Sequence, residues 1–172
     1  GRVSVEDAIM DDTEVGTTVA HAIAEGLAMS DDGSAYASAQ DAVDAAQNWV
    51  WLPPNTTFNE SLQIDKSDFK LKGSGYTTVI DNTPVTVSND TTITTNSTNN
   101  VSIESLKLIS QDSGIEDGTS TNTSIVNVFF DSGNESIQLG DEGVVYNCTI
   151  EDTAWTGINP GNRSKIIGNF IL

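Results

Sequence analysis

A short phrase recurs through the second half of this chain at nearly constant spacing. It consists of an apolar residue, a spacer, a small polar residue and two further apolar residues in alternation. The polar position is filled in turn by Ser105, Asn127, Asn147 and Asn169, so the period is 20 to 22 residues. A fixed period of this length is typical of a solenoid of short strands. One repeat cannot bury its apolar face alone, so stacked neighbours must share a continuous core.

Within each phrase the apolar residues alternate, as the residues of a strand do. Leu106 and Leu108 would therefore share the inward face, as would Phe170 and Leu172 in the last phrase. Two strands that meet at one residue need a sharp bend, and Asn tolerates the left-handed backbone conformation of such a bend. The alternative, an antiparallel sandwich of evenly spaced strands, would not return one residue type to one place. We expect a structural column of stacked asparagines: Asn127, Asn147 and Asn169.

The N-terminal 48 residues have the pattern of three helices. The first would begin near Ser4, the second near Thr17 with an apolar face that includes Ile23, and the third at Ser38. The third helix would cover the first coil of the solenoid, whereas the first two are surplus to such a cap. We therefore predict a docking or oligomerisation segment over residues 1–37 and a capped solenoid over 38–172. The alternative is that these two helices fold back as ordinary packing.

Because the chain stops within a phrase at Leu172, we expect the solenoid to be incomplete or its end to be covered by a partner.

Residues 38–80 carry a more specific pattern. A short Ala-rich helix leads into a strand that ends at Leu52-Pro53-Pro54, and Leu71-Lys-Gly73-Ser-Gly75 follows. Together with the repeated phrase, this stretch resembles the opening of a right-handed parallel β-helix of the pectate-lyase-like superfamily. The resemblance implies an all-β solenoid, a right-handed parallel β-helix preceded by a small helical segment. That superfamily includes polysaccharide lyases and hydrolases, phage tailspikes and non-catalytic surface proteins, so its fold does not determine function.

The charge of the chain is extreme. Seven Lys and Arg stand against 25 Asp and Glu, which gives a net charge of −18 in 172 residues. The self-repulsion should destabilise the compact state in dilute buffer, and at about 1 M salt a Debye length of roughly 3 Å would remove most of it. The composition resembles that of proteins from extreme halophiles, particularly haloarchaea and their viruses; the alternative is an ordinary acidic bacterial surface domain. Such charge argues against nucleic acid and anionic membrane surfaces as partners, and no apolar run is long enough for membrane insertion.

Acceptor motifs for N-glycosylation are unusually dense. An Asn-x-Ser/Thr motif that lies in predicted turns is found at Asn55, Asn59, Asn89, Asn96, Asn100, Asn122, Asn134 and Asn162. Asn147 has the same motif, but we predict that it lies in the inner column and is structural. The alternative is that the turns of a β-helix simply favour Asn, Ser and Thr.

The sequence offers little catalytic chemistry. Five carboxylates could gather on adjacent coils near Arg163 and Lys165: Asp131, Asp141, Glu142, Glu151 and Asp152. Their spacing does not follow the coil period, so we interpret them as solvated acidic surface and predict no catalytic residue and no cofactor. Calcium is a weak hypothesis at Asp81-Asn82 or Asp141-Glu142, because neither pair has the ligand count of a dedicated loop.

Trp155, in a predicted loop, would stack on a sugar ring or form a lid over the core. The single cysteine, Cys148, is expected to be a buried apolar residue.

These observations favour a rigid, salt-adapted β-helix shaft on a helical base. We expect a structural or attachment protein of a haloarchaeal virus particle, such as a tail fibre, a tailspike or a capsid-surface decoration. It would lie at the virion surface or outside the cell in high salt. Its partners would be other virion proteins, through the N-terminal helices, and a host surface glycan or glycoprotein; by analogy with β-helix tailspikes it would form a homotrimer. The alternatives are a polysaccharide lyase or glycoside hydrolase on a β-helix, and a haloarchaeal cell-surface adhesin.

Overall fold

The computed structural model describes residues 13–84 and 91–172, with side chains from residue 19 onward except that of Ser132. Two helices lie in these ranges: α1 spans Thr13–Glu25 and α2 spans Ala39–Ala45. They correspond to the second and third predicted helices, whereas the first predicted helix lies outside the described residues. None of the described helices is long and apolar enough to cross a membrane.

The strands form three sheets, which we name A, B and C. Sheet A contains β1 (Ala28–Ser30), β2 (Ala35–Tyr36), β3 (Trp49–Trp51), β6 (Lys70–Lys72), β9 (Ser102–Glu104), β12 (Ser124–Val126), β15 (Val144–Tyr146) and β18 (Lys165–Ile167). Sheet B contains β4 (Thr56–Phe58), β7 (Thr78–Asp81), β10 (Lys107–Ser110), β13 (Phe129–Ser132), β16 (Thr149–Glu151) and β19 (Phe170–Ile171). Sheet C contains β5 (Leu62–Ile64), β8 (Thr91–Thr95), β11 (Ser113–Glu116), β14 (Glu135–Gln138) and β17 (Thr156–Asn159).

The chain visits sheets A, B and C once in each coil. From β3 onward each strand pairs in parallel with the strand three places later, as β9 does with β12 and β10 with β13. This gives five complete coils and the beginning of a sixth, so the predicted parallel β-helix is confirmed. The antiparallel sandwich is wrong, because among the described strands only the β1–β2 and β1–β3 pairs are antiparallel.

Residues 28–36 correct the predicted division of the chain. The predicted helical docking segment includes them, but β1 and β2 extend sheet A beyond the first coil. The turn between them is held by Asp32, which accepts hydrogen bonds from the Ser30 hydroxyl and the Ser34 amide. These bonds stabilise the charged form and lower the pKa of Asp32.

The bend from sheet A to sheet B repeats a left-handed residue in register. Ser105, Asn127 and Asn147 have φ of 56°, 54° and 53°, and the Asn147 side-chain amide donates to the Asn127 side-chain oxygen over 2.6 Å. Asn147 is nevertheless exposed, so its predicted place in the inner column is wrong. The first members of the predicted column therefore stack as expected, on the outside of the bend.

The last member of that column is displaced by one residue. Tyr146 pairs with Ile167, so the residue beside Asn147 is Gly168, with φ of 64°, and Asn169 comes one place later. Glycine adopts the left-handed conformation with less strain than Asn, which accounts for the shift. Asn169 instead bridges to the coil before it: its side chain accepts from the Cys148 amide (2.8 Å) and donates to the Val145 carbonyl (3.1 Å).

This shift reverses the faces predicted for the final strand. Phe170 pairs with Thr149 and points outward, while Ile171 pairs with the buried Ile150 and points inward. Leu172, which follows Ile171, is outward as well by alternation. The expectation that Phe170 and Leu172 share the inward face is therefore wrong.

A second left-handed column lies at the bend from sheet C to sheet A. Five successive coils place a residue there with φ between 57° and 60°: Asp68, Asn100, Asn122, Glu142 and Arg163. The Asn100 side-chain amide donates to the Asp68 carboxylate over 2.9 Å, and Arg163 forms an ion pair with Glu142. The sequence did not suggest this column.

The core is a stack of inward columns with α2 over its first coil. Ala39, Ala42 and Val43 of α2 belong to the same buried cluster as the inward strand residues. Ser38 caps the helix, and the Glu60 carboxylate accepts the amide hydrogens of Ala39 (2.7 Å) and Gln40 (3.0 Å). These bonds fix α2 on the solenoid, as predicted for the third helix.

Candidate glycan-binding face

The outward side of sheet B, which we call the sheet B face, combines aromatic, basic and acidic side chains. Strand register stacks its outward residues in two columns, one per alternating position. The first column contains Val79, Lys107, Phe129, Thr149 and Phe170. The second contains Asp81, Ile109, Asp131 and Glu151. The residues between them, such as Leu108 and Phe130, are buried in the core.

An aromatic group lies at the centre of this face. The Tyr76 and Phe129 rings meet edge to face, with centroids 5.6 Å apart and an interplanar angle of 62°. The Lys107 ammonium lies 5.0 Å from the Phe129 ring centroid and 3.0 Å from an Asp131 carboxylate oxygen. Tyr76 is 46% exposed, so the cluster presents aromatic surface while its cation is neutralised by a neighbour.

Phe170 extends the aromatic surface towards the last coil. It lies in the same outward column as Phe129, with Thr149 between them, and it is 65% exposed. Successive parallel strands are about 4.8 Å apart, which places the two positions about 10 Å apart along the solenoid.

The five carboxylates considered from the sequence separate into two groups. Asp131 and Glu151 are register partners on the sheet B face, and Asp152 follows Glu151. Asp141 and Glu142 lie instead at the bend from sheet C to sheet A. There Asp141 accepts two hydrogen bonds from Asn162 (2.8 and 3.0 Å), and Glu142 pairs with Arg163. The set therefore does not gather around Arg163.

The two calcium hypotheses gain no geometric support. Asp81 accepts hydrogen bonds from the Thr83 amide (2.9 Å) and hydroxyl (2.6 Å), and Asn82 accepts one from the Gln111 amide (3.2 Å). Asp141 is likewise bonded to Asn162. Within residues 13–84 and 91–172, no group of three or more His, Cys, Asp or Glu side chains could hold a metal ion.

Trp155 lies on the bend from sheet B to sheet C. Its indole is 86% exposed, so the interpretation as a lid over the core is wrong. Its amide donates to the Asn134 carbonyl over 3.0 Å, and the Asn134 side chain donates to Asp112 in the preceding coil. Trp155 thus ends a short outward column and offers its ring to solvent.

The glycosylation motifs are accessible in the described part of the chain. Eight acceptors are exposed: Asn55, Asn59, Asn96, Asn100, Asn122, Asn134, Asn147 and Asn162. Asn89 lies outside the described residues. Three of these amides already donate to an Asp carboxylate: those of Asn100, Asn134 and Asn162.

Sequence reasoning missed the aromatic group of the sheet B face. Its members lie in turns or at spacer positions of the phrase, where the residue type changes from one repeat to the next: Tyr76, Lys107 and Phe129. Alternation around Leu108 and Phe130 does place Lys107 and Phe129 outward. Their meeting with Tyr76 follows only from the strand register.

No protein family and no curated protein matches the sequence. Among solved structures, this chain is similar to a mutant pectin methylesterase crystallised in complex with a hexasaccharide, at 13% identity and a TM-score of 0.48. The similarity covers 79% of this chain, which spans 63% of the length of that protein.

Proposed function

We propose that this chain is a rigid, non-enzymatic β-helix shaft of a surface attachment protein. The observation that carries the proposal is that exposed or half-buried polar side chains bond to one another between coils. The pairs are Asn100 with Asp68, Asn147 with Asn127, Asn134 with Asp112, Glu104 with Lys70, Asp131 with Lys107, and Glu142 with Arg163.

These pairs act along the axis of the solenoid. A single exposed ion pair contributes only about 0–1 kcal/mol, but pairs repeated at several bends and faces oppose slippage between coils. Lys107 and Arg163, two cations that could serve a sugar-cleaving enzyme as bases, are both ion-paired. The chemistry of this surface therefore favours a structural role over a catalytic one.

The proposed setting of the shaft rests on composition and on the resemblance to β-helix tailspikes. A net charge of −18 suits concentrated salt, so we propose the surface of a haloarchaeal virus, as a tail fibre, tailspike or capsid decoration. The N-terminal helices would dock it to other virion proteins, and three copies would associate. The exposed Trp155 ring and the sheet B face would contact a host surface glycan or glycoprotein. A cell-surface adhesin would use the same features.

A glycoside hydrolase is the second candidate, because Asp131 and Glu151 lie on adjacent coils beside Lys107. Paired carboxylates about 5–10 Å apart are the usual requirement of that reaction. In this reading one carboxyl group would protonate the leaving oxygen and the other would attack or activate water.

Two measurements test the proposal. The purified chain, in concentrated KCl with and without calcium, is incubated with host cells and with their isolated polysaccharide, and new reducing and unsaturated sugar ends are measured. We expect binding to the cells and no new ends. Cleavage that Asp131→Asn and Glu151→Gln abolish would replace the attachment proposal by the hydrolase.

Electron microscopy of particles labelled with an antibody against the chain would test the virion setting, which fails if label is confined to the cell envelope.

A further inference from the structure

We propose that the sheet B face binds a linear, uncharged glycan that runs along the axis of the solenoid. The inference rests on the proposed attachment function and names the ligand class of that face. The site would consist of Tyr76, Phe129 and Phe170, with the neighbouring carboxylates of Asp131 and Glu151.

The direction of the ligand follows from the register of the aromatic residues. Phe129 and Phe170 share one outward column and are two coils apart. Their separation of about 10 Å is close to the length of two hexose units in an extended chain. Every second sugar ring could therefore lie against a phenyl ring, with Thr149 beneath the sugar between them.

Tyr76 broadens this surface at its centre. Its ring meets Phe129 edge to face, and it is half exposed. Aromatic rings offer a large apolar surface with little conformational freedom to lose, and the C–H faces of a sugar ring are apolar. The Tyr76 hydroxyl adds a polar group at the rim that can bond to a sugar hydroxyl.

Charge selects the class of glycan. Asp81, Asp131 and Glu151 line the adjacent outward column, and Lys107, the one cation in the two columns, is paired with Asp131. On a chain of net charge −18, this face would repel a polyuronate or a sulfated polymer. Ionised carboxylates accept hydrogen bonds only, so Asp131 and Glu151 suit the hydroxyl groups of a neutral sugar.

The test is a titration in about 2 M KCl, where general charge repulsion is screened. The probes are neutral hexasaccharides (β1→4 glucan, β1→4 mannan and α1→4 glucan) and, as the acidic counterpart, hexagalacturonate. Heats of binding are measured for the wild type, Tyr76→Ala, Phe170→Ala and Trp155→Ala. The matched control is Tyr146→Ala, because Tyr146 is 48% exposed on the outer side of sheet A and so resembles Tyr76 in type and exposure.

We expect at least one neutral hexasaccharide to bind, and Tyr76→Ala and Phe170→Ala each to weaken that binding at least about fivefold. Tyr146→Ala should leave binding unchanged, and a melting curve for each variant establishes that it is folded. The inference is overturned if no neutral hexasaccharide binds, if hexagalacturonate binds more tightly, or if Tyr146→Ala abolishes binding. It is also overturned if Trp155→Ala weakens binding while Tyr76→Ala and Phe170→Ala do not, because the glycan would then lie at the bend and not on the sheet B face. Cleavage of a bound hexasaccharide would instead overturn the attachment function while leaving the binding site in place.

Discussion

At the scale of single residues, two buried ionisable side chains, those of Cys148 and Asp117, have surroundings that define their behaviour. Cys148 is fully buried in an inward column beside Val128. Asp117, also fully buried, accepts hydrogen bonds from the Thr95 hydroxyl and, over 3.0 Å, from the Gly140 amide. Composition alone suggests a solvated surface for an acidic side chain in this protein, so the burial of Asp117 could be known only from the structure.

The Cys148 thiol should make stability depend on alkaline pH. Burial raises its pKa from 9.0 to about 11, because the thiolate would lose its hydration. The unfolded chain therefore releases this proton first, and the free energy of unfolding should be intact below pH 9 and fall as pH rises to 11. The loss at pH 11, where the folded thiol is half titrated, should be about 2 kcal/mol. Urea titrations at pH 8 and 11 measure it, and Cys148→Val supplies the control for lysine and tyrosine titration. Equal losses in the wild type and the variant would contradict the prediction.

Asp117 should be among the residues most costly to truncate. Asp117→Ala removes the acceptor for Thr95 and Gly140 and leaves buried donors unpaired, which should lower the free energy of unfolding by about 3 kcal/mol. Glu116→Ala is the matched control, because its side chain is exposed one residue away. Its carboxylate accepts only a long hydrogen bond of 3.3 Å from the Thr91 hydroxyl, so the substitution should cost less than about 1 kcal/mol. Denaturant unfolding of both variants gives the comparison, and similar costs would show that the buried network does not stabilise the core.

At the scale of the elements, the sequence predicted the strands wherever their inward residues alternate. The register of sheets A and B from Ile103 to Ile150 follows directly from the repeated phrase. The predicted alignment of the last coil is wrong by one residue. Gly168 and Asn169 are both suited to a left-handed bend, and the preference of that conformation for glycine decides between them. The bend from sheet C to sheet A was missed because its left-handed positions hold Asp, Asn, Glu and Arg, which form no recurring letter.

The bend from sheet A to sheet B yields a prediction that separates backbone strain from hydrogen bonding. Asn147→Ala puts a residue with a Cβ but no polar group at φ of 53° and removes the bond to Asn127. We expect a loss of about 2 kcal/mol. Asn147→Gly relieves the strain while still losing the bond, so its loss should be about half as large. Both are measured by urea unfolding. If Gly is as damaging as Ala, strain at the bend is not part of the cost.

At the scale of the whole molecule, the net negative charge destabilises the fold, whereas the geometry of the solenoid limits that effect. Sheets A, B and C expose an outward side along the full length of the described coils. Every acidic side chain that the structure describes, apart from that of Asp117, is therefore exposed or half-buried and can be hydrated. The core meanwhile forms one continuous cluster from α2 to Ile150. Composition predicts that the stability of the fold depends on salt. The aromatic sheet B face required the register of several coils and could not be predicted from any one repeat.

Concentrated salt should therefore stabilise the fold. Raising KCl from about 0.1 to 2 M shortens the Debye length from about 10 Å to less than 3 Å, so the melting temperature should rise by 10 °C or more, on the order expected for removal of a few kcal/mol of repulsion. Salt also strengthens apolar burial, and a charge variant separates the two effects. Replacing Glu25, Glu116 and Glu135 by Gln and Asp152 by Asn changes the net charge from −18 to −14. This variant should melt higher than the wild type at 0.1 M and gain less from added KCl. An equal gain in both proteins would mean that the salt acts on the core and that self-repulsion does not limit stability.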